Sequence, residues 1–220
     1  MNLYSFHTDP DSLLHFHKAP DQVPRLFWDR YRHNPAELKK RESALAADPE
    51  YAFKYAEEVL KAPFPAGEAA IAKDVGFAFG YAENMLNGPF PAGEAVIAKD
   101  ERHAYLYAKR VLKGRFPAGE AALAKDAFSA YLYAEQVLNG RFPAGEAAIA
   151  KDAKYAYLYA LEVLKGPFPA GEAAIAQHTE YAHKYAGRVL NGRFPAGEAA
   201  IAKDAERASH YNSFIKPLKK

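Results

Sequence analysis

Apolar and polar positions return in the same order every 26 residues along most of this chain. The hexapeptide Phe-Pro-Ala-Gly-Glu-Ala begins at Phe64, Phe90, Phe116, Phe142, Phe168 and Phe194 without a slip of register. A worn copy precedes them, with Glu42, Leu45, Ala46 and Asp48 in the places of Glu68, Ile71, Ala72 and Asp74. Seven units thus run from Leu38 to Lys216. Within each, a Phe-Pro turn leads into a short apolar stretch with Glu near its start, where a carboxylate meets the positive end of a helix dipole. An Asp then opens a second helix as its N-cap; in Asp48-Pro49-Glu50 a proline fills the first helical position, where its missing N–H costs nothing. Gly88, Gly114, Gly140, Gly166 and Gly192 close that helix and are expected to supply the left-handed residue of its C-terminal cap.

Residues four, seven, eight, eleven and twelve places after the Asp are nearly invariant among the copies, as in Ala156, Tyr159, Ala160, Val163 and Leu164. That spacing is one helical face. Tyr55, Tyr81, Tyr107, Tyr133, Tyr159, Tyr185 and Tyr211 occupy the same place in every copy, which reads as a row of core spacers. A two-helix unit this short cannot bury its own apolar face, so neighbours must stack and share one core. The expected fold is all-α: an α-solenoid of seven repeats over 38–216, a helical N-terminal cap over 1–37 and a basic tail over 217–220. In the last copy Asn212 replaces the usual Ala, and Ser209 and Arg207 replace rings, giving the polar outer face that a terminal repeat needs.

Phe-Pro-Ala-Gly-Glu-Ala, Ile-Ala-Lys-Asp, Tyr-Leu-Tyr-Ala and Val-Leu-Lys-Gly together make the chain resemble the 26-residue short helical tandem repeats, HEAT-like in stacking, of tailed-bacteriophage and some bacterial proteins. The resemblance covers about four fifths of the chain. It implies an α-solenoid in a phage or prophage setting, hence the host cytoplasm, and brings no single activity with it.

Composition narrows the function classes. Net charge is only +2, from 29 basic and 27 acidic residues, which argues against a general attraction to nucleic acid or membrane. Cysteine is absent, so thiolate and disulfide chemistry are excluded and a reducing, cytoplasmic compartment is the expectation. The first ten residues lack the pattern of a secretion signal, and no run of 18 apolar residues occurs.

Chemistry is sparse. Glu42, Glu68, Glu94, Glu120, Glu146, Glu172 and Glu198 form an acidic ladder, but one helix spacing separates neighbours and each has a task at a helix start. Lys73, Lys99, Lys125, Lys151 and Lys203 are candidate ion-pair partners for them. His7, His15, His17 and His33 gather near the beginning, yet His15 and His17 fall on different sides of a helix and nothing supplies a third metal ligand. No phosphate-cradling glycine loop, nucleophile elbow or paired-cysteine zinc pattern is present. An active site is one asymmetric constellation, which repetition does not build. We therefore expect no enzyme activity, cofactor or metal.

Variation among the copies marks surface that stacking does not constrain. Six places after the Asp they read Lys54, Gly80, Leu106, Leu132, Leu158, Lys184 and His210. Together with Tyr105, Tyr131, Tyr157 and Leu161, the three central leucines predict an exposed apolar stripe, the preferred binding surface for a protein partner or a second copy of the chain. The alternative is that Leu26, Phe27, Trp28 and Tyr31 of the N-terminal segment fold back over it. In the sixth unit His178, His183 and Gly187 break the pattern and suggest a pocket. Nucleic acid is the second class of partner, through Arg25, Arg30, Arg32, Lys39, Lys40 and Arg41 among Phe27, Trp28 and Tyr31, with Arg115, Arg141 and Arg193 recurring at turns. A third reading is a phage inhibitor that occludes a host enzyme or sequesters a small signalling molecule.

Overall fold

The computed structural model describes residues 28–215, and every regular element among them is helical. Helix pairs repeat with the 26-residue period and pack against the preceding and following pair, which makes the protein an α-solenoid. One unit shows how the sequence does this. Phe142 enters in extended backbone, Pro143–Gly145 makes a tight 3-10 turn, and Glu146–Ile149 adds one α-helical turn. After Asp152 the trailing helix runs from Ala153 to Leu158 and continues over Tyr159–Leu164 with the wider i→i+5 bonding of a π-helix.

Caps set the boundaries. Asp48, Asp74, Asp100, Asp126, Asp152 and Asp204 each accept a hydrogen bond from the backbone N–H three residues on, satisfying a donor that the helix start would leave orphaned. His178 holds the same backbone conformation in the sixth unit without a side-chain cap bond. Restoring the acid by His178→Asp is therefore expected to raise stability by about 1 kcal/mol. Urea unfolding should show a higher midpoint at an unchanged slope; an equal or lower midpoint would mean that the ring contact of His178 with Tyr181, 4.5 Å between centroids, outweighs the missing cap.

At the other end of the trailing helix the expectation needs correction. No glycine has positive φ; the left-handed residues are Lys61, Asn87, Lys113, Asn139, Lys165 and Asn191, each one place earlier. The π-helical turn is the reason. It widens the helix so that the carbonyl of Ala82 accepts from both Asn87 and Gly88, and the same pair of bonds recurs at each later cap. The left-handed turn thus comes one residue sooner than an α-helical count places it.

The core is a line of identical seams. Tyr81, Tyr107, Tyr133, Tyr159 and Tyr185 are fully buried, with the flanking alanines at zero exposure. Each tyrosine ring meets the phenylalanine that opens the next unit, at 5.0–5.2 Å for Tyr107–Phe116 and Tyr159–Phe168 and close to that elsewhere. Such pairs add about 0.5–1.5 kcal/mol beyond the area they bury. The glycine of the hexapeptide is a packing residue: a Cβ on Gly145 would sit 2.5 Å from Phe142 Cδ1 and 2.7 Å from the Ala130 methyl of the preceding unit. Glycine and alanine together let the leading helix press against the neighbour's trailing helix.

Trp28 is buried with its ring 6.0 Å from Tyr51 of the first unit. At the far end Asn212 is exposed where the earlier units bury alanine completely.

Candidate interaction surface

The strictly repeated polar groups are used inside the stack. Tyr159 Oη donates to Glu146 Oε1 at 2.9 Å and accepts from the Phe142 N–H at 3.0 Å. The same clasp joins Tyr81 to Glu68 and Phe64, Tyr107 to Glu94 and Phe90, Tyr133 to Glu120 and Phe116, Tyr185 to Glu172 and Phe168, and Tyr211 to Glu198 and Phe194. In the worn first unit Tyr55 donates to Glu42. The rings are core spacers, as the periodicity predicts, but their hydroxyls also lock the leading turn of a unit to its own trailing helix. Burial first, and the facing carboxylate after it, push Tyr81, Tyr107 and Tyr159 up to about 12 against the opposing pull of the phenylalanine amide. A neutral phenol beside a carboxylate that it already satisfies has no proton to trade at ordinary pH.

The glutamates' ionic partners also differ from expectation. Among the described residues Glu120, Glu146 and Glu198 pair with Arg115, Arg141 and Arg193, at 2.8 Å for Arg115–Glu120, rather than with the lysine series. The turn brings the arginine five residues ahead of the Glu back over the carboxylate, whereas each lysine lies past the end of the leading helix. The arginines are largely exposed, so these pairs contribute little to stability.

The apolar stripe is present but sunken. Leu106, Leu132, Leu158 and Leu161 are partly buried against the core, as is Tyr131, while Tyr105 and Tyr157 are buried at 9% and 3% exposure. Expecting an open outer side treats the trailing helix as if it had neighbours on one flank only. Trailing helices lie side by side through the stack, so the residue five places after the Asp touches the next unit. Tyr105 shows this directly, donating to Gln136 of the following unit at 2.7 Å. What the face offers solvent is Phe128 with the partly buried rings of Tyr131, Tyr155 and Tyr181. Tyr131 stacks on Tyr155 at 6.0 Å, Tyr157 on Tyr181 at 5.9 Å, and Phe128, half exposed, lies 5.5 Å from Tyr155. Phe128 escapes a search for repeated leucines because its position is glycine, basic or acidic in the other copies.

In the sixth unit the three singled-out residues separate. His183 and Gly187 line a cleft of about 370 Å³ with Lys184, Arg188, Asn191, His210 and Phe214. His178 instead packs on Tyr181. His183 Nε2 and His210 Nδ1 stand 2.8 Å apart, and burial, then His210, holds His183 below the usual histidine range.

The N-terminal basic cluster lacks free stacking rings among the described residues. Trp28 is buried, and Tyr31 lies under Arg30 and Arg41 at 5.6 and 5.5 Å. Trp28 packs at the first unit, away from the central stripe, and Arg25, Leu26 and Phe27 lie outside the described residues. So do His7, His15 and His17, while His33 is exposed. No helix among the described residues is long and apolar enough to cross a membrane. No protein-family model matches the chain, and the comparisons with curated proteins and with solved structures return no match either.

Proposed function

We propose that this protein is a non-catalytic helical-repeat scaffold that engages a protein partner, or a second copy of itself, through the trailing-helix face of its central units. The observation that carries this reading is the ring row around Phe128, whose side chain is 49% exposed in the middle of the stack. Large rings held by their neighbours lose little freedom on binding and dominate the energetics of protein interfaces. The repeated polar groups support a non-catalytic role, since each clasp spends its donors and acceptors within the unit. The repeat resemblance makes a phage-encoded chain acting in the host cytoplasm the setting that goes with this reading, with a host protein among the candidate partners.

Lysine already stands at the stripe position in the first and sixth units, as Lys54 and Lys184, so the fold tolerates it there. A variant combining Phe128→Lys with Leu106, Leu132 and Leu158→Lys should keep its helicity and lose association by at least about tenfold. Sedimentation velocity and capture with the native chain as reference would read this. Unchanged mass and unchanged capture would end the proposal.

Lysines over the same rings favour a second reading, single-stranded nucleic acid. Lys154 stands 5.2 Å from the Tyr155 centroid and Lys109 5.6 Å from that of Tyr105. Affinity for a single-stranded probe that falls steeply as salt rises would support it over a protein partner.

A further inference from the structure

Between the sixth and seventh units the repeat opens a cleft at Gly187. Nine places after the Asp the other complete units carry Glu83, Lys109, Glu135 and Leu161, and the first carries Glu57; here the residue is Gly187. The side chain is gone, and with it the acid that the first, second and fourth units carry; a Cβ there would meet only Phe214 at 3.8 Å. The surrounding cations are not equivalent. Lys184 is held by Glu180 at 2.5 Å and Arg207 by Asp204, whereas Arg188 has no carboxylate partner among the described residues. One wall is made of flat rings: Phe214 lies 5.8 Å from His210 and 6.3 Å from His183, edge to face. Arg188 and Asn191 also line the cleft. A fork of N–H donors recognises carboxylate or phosphate, and aromatic faces and edges pack on a planar body.

We infer that this cleft is a binding site for a small anion built on a flat ring, an aromatic carboxylate or a nucleoside monophosphate. Its volume of about 370 Å³ lies in the range of ligand sites of that size. The residues changed to test the docking face do not line this cleft, so the two can fail separately.

The test is calorimetric titration of the full chain with benzoate, with adenosine monophosphate and with inorganic phosphate. Binding of at least one ring-bearing anion with Kd below about 1 mM is expected, with phosphate at least about tenfold weaker. Gly187→Leu should abolish it: leucine is what the fifth unit carries at this place, as Leu161, so the variant fills the cleft with a residue that the repeat accepts. Arg188→Gln should weaken binding about tenfold or more, while Arg110→Gln, its equivalent in the third unit, should change nothing. The two ring probes distinguish a carboxylate site from a nucleotide site. No saturation by either ring anion up to about 10 mM, or undiminished binding by Gly187→Leu with its helicity intact, would overturn the inference.

Discussion

Gly145→Val is expected to destabilise the solenoid by about 3 kcal/mol, at the upper end of the overpacking range. A Cβ at this position already meets a ring carbon at 2.5 Å and the Ala130 methyl at 2.7 Å, and valine adds two more carbons in the same gap. Neither neighbour can yield. Phe142 is locked between Tyr133, 5.1 Å away, and its own amide's bond to Tyr159, and Ala130 is backbone-proximal and fully buried. The damage falls on the seam between two units. In a stack whose stability is a sum of unit and nearest-neighbour terms, one weakened central seam also lowers cooperativity. Urea unfolding should lose its single sharp transition, with the halves on either side of Gly145 melting separately. Gly140→Ala is the control, because the nearest atom to a Cβ there is a carbonyl oxygen at 3.8 Å and φ is not positive. Its effect should stay within about 1 kcal/mol. Equal midpoints for the two variants would remove the close-approach role assigned to the hexapeptide glycine.

Raising the pH should unfold the protein cooperatively between about pH 10 and 12. Tyrosine in an unfolded chain loses its proton near 10. In the folded chain Tyr55, Tyr81, Tyr107 and Tyr159 are pushed up to about 12, and Tyr185 further, by burial and by the carboxylates they face. Below pH 10 both states are protonated and the clasps contribute fully. Above it the unfolded state gains by ionising while the folded state does not, so stability falls with every step in pH until the folded phenols ionise too. Because the same group recurs in every unit, the losses accumulate instead of sparing most of the stack. Arg115, Arg141 and Arg193, held above the usual guanidinium range by the carboxylates they face, keep their charge in this window and do not mask the effect. The rise in tyrosinate absorbance above pH 10 should therefore include a stage that coincides with loss of helical ellipticity. A single class of tyrosines titrating near 10, with helix retained at pH 12, is the outcome that contradicts it.

Periodicity carries the architecture because each repeated residue serves a repeated contact. Asp152 as a cap, Tyr159 as a buried ring and Ala156 as a close-packing residue could all be placed from position alone. The hydroxyl clasp was available too. Tyrosine never gives way to phenylalanine, and it keeps an interval of 13 residues from a glutamate and 17 from the backbone that it accepts from. That constancy is a signal for a polar bond inside an apolar core. Features that depend on helix type were not legible. The π-helical widening that moves the left-handed turn to Asn87 or Lys113 follows from bonding along the helix, and no residue announces it. The stripe was misjudged in depth rather than in place, because a face computed from one helix omits the neighbour on its second flank. The sixth-unit cleft was half visible: Gly187 and His183 stand out, but His210, Phe214 and Arg188 come from knowing which helices adjoin.

The tyrosine–phenylalanine contact joining neighbours recurs along the stack, with a ring distance that varies by 0.2 Å between Tyr107–Phe116 and Tyr159–Phe168. A crossover that deletes or duplicates one period in the coding sequence would rejoin surfaces that already match, leaving no orphaned half-interface. Length is thereby free to drift or be selected independently of foldability, so related chains could span different distances while differing in nothing but the number of copies.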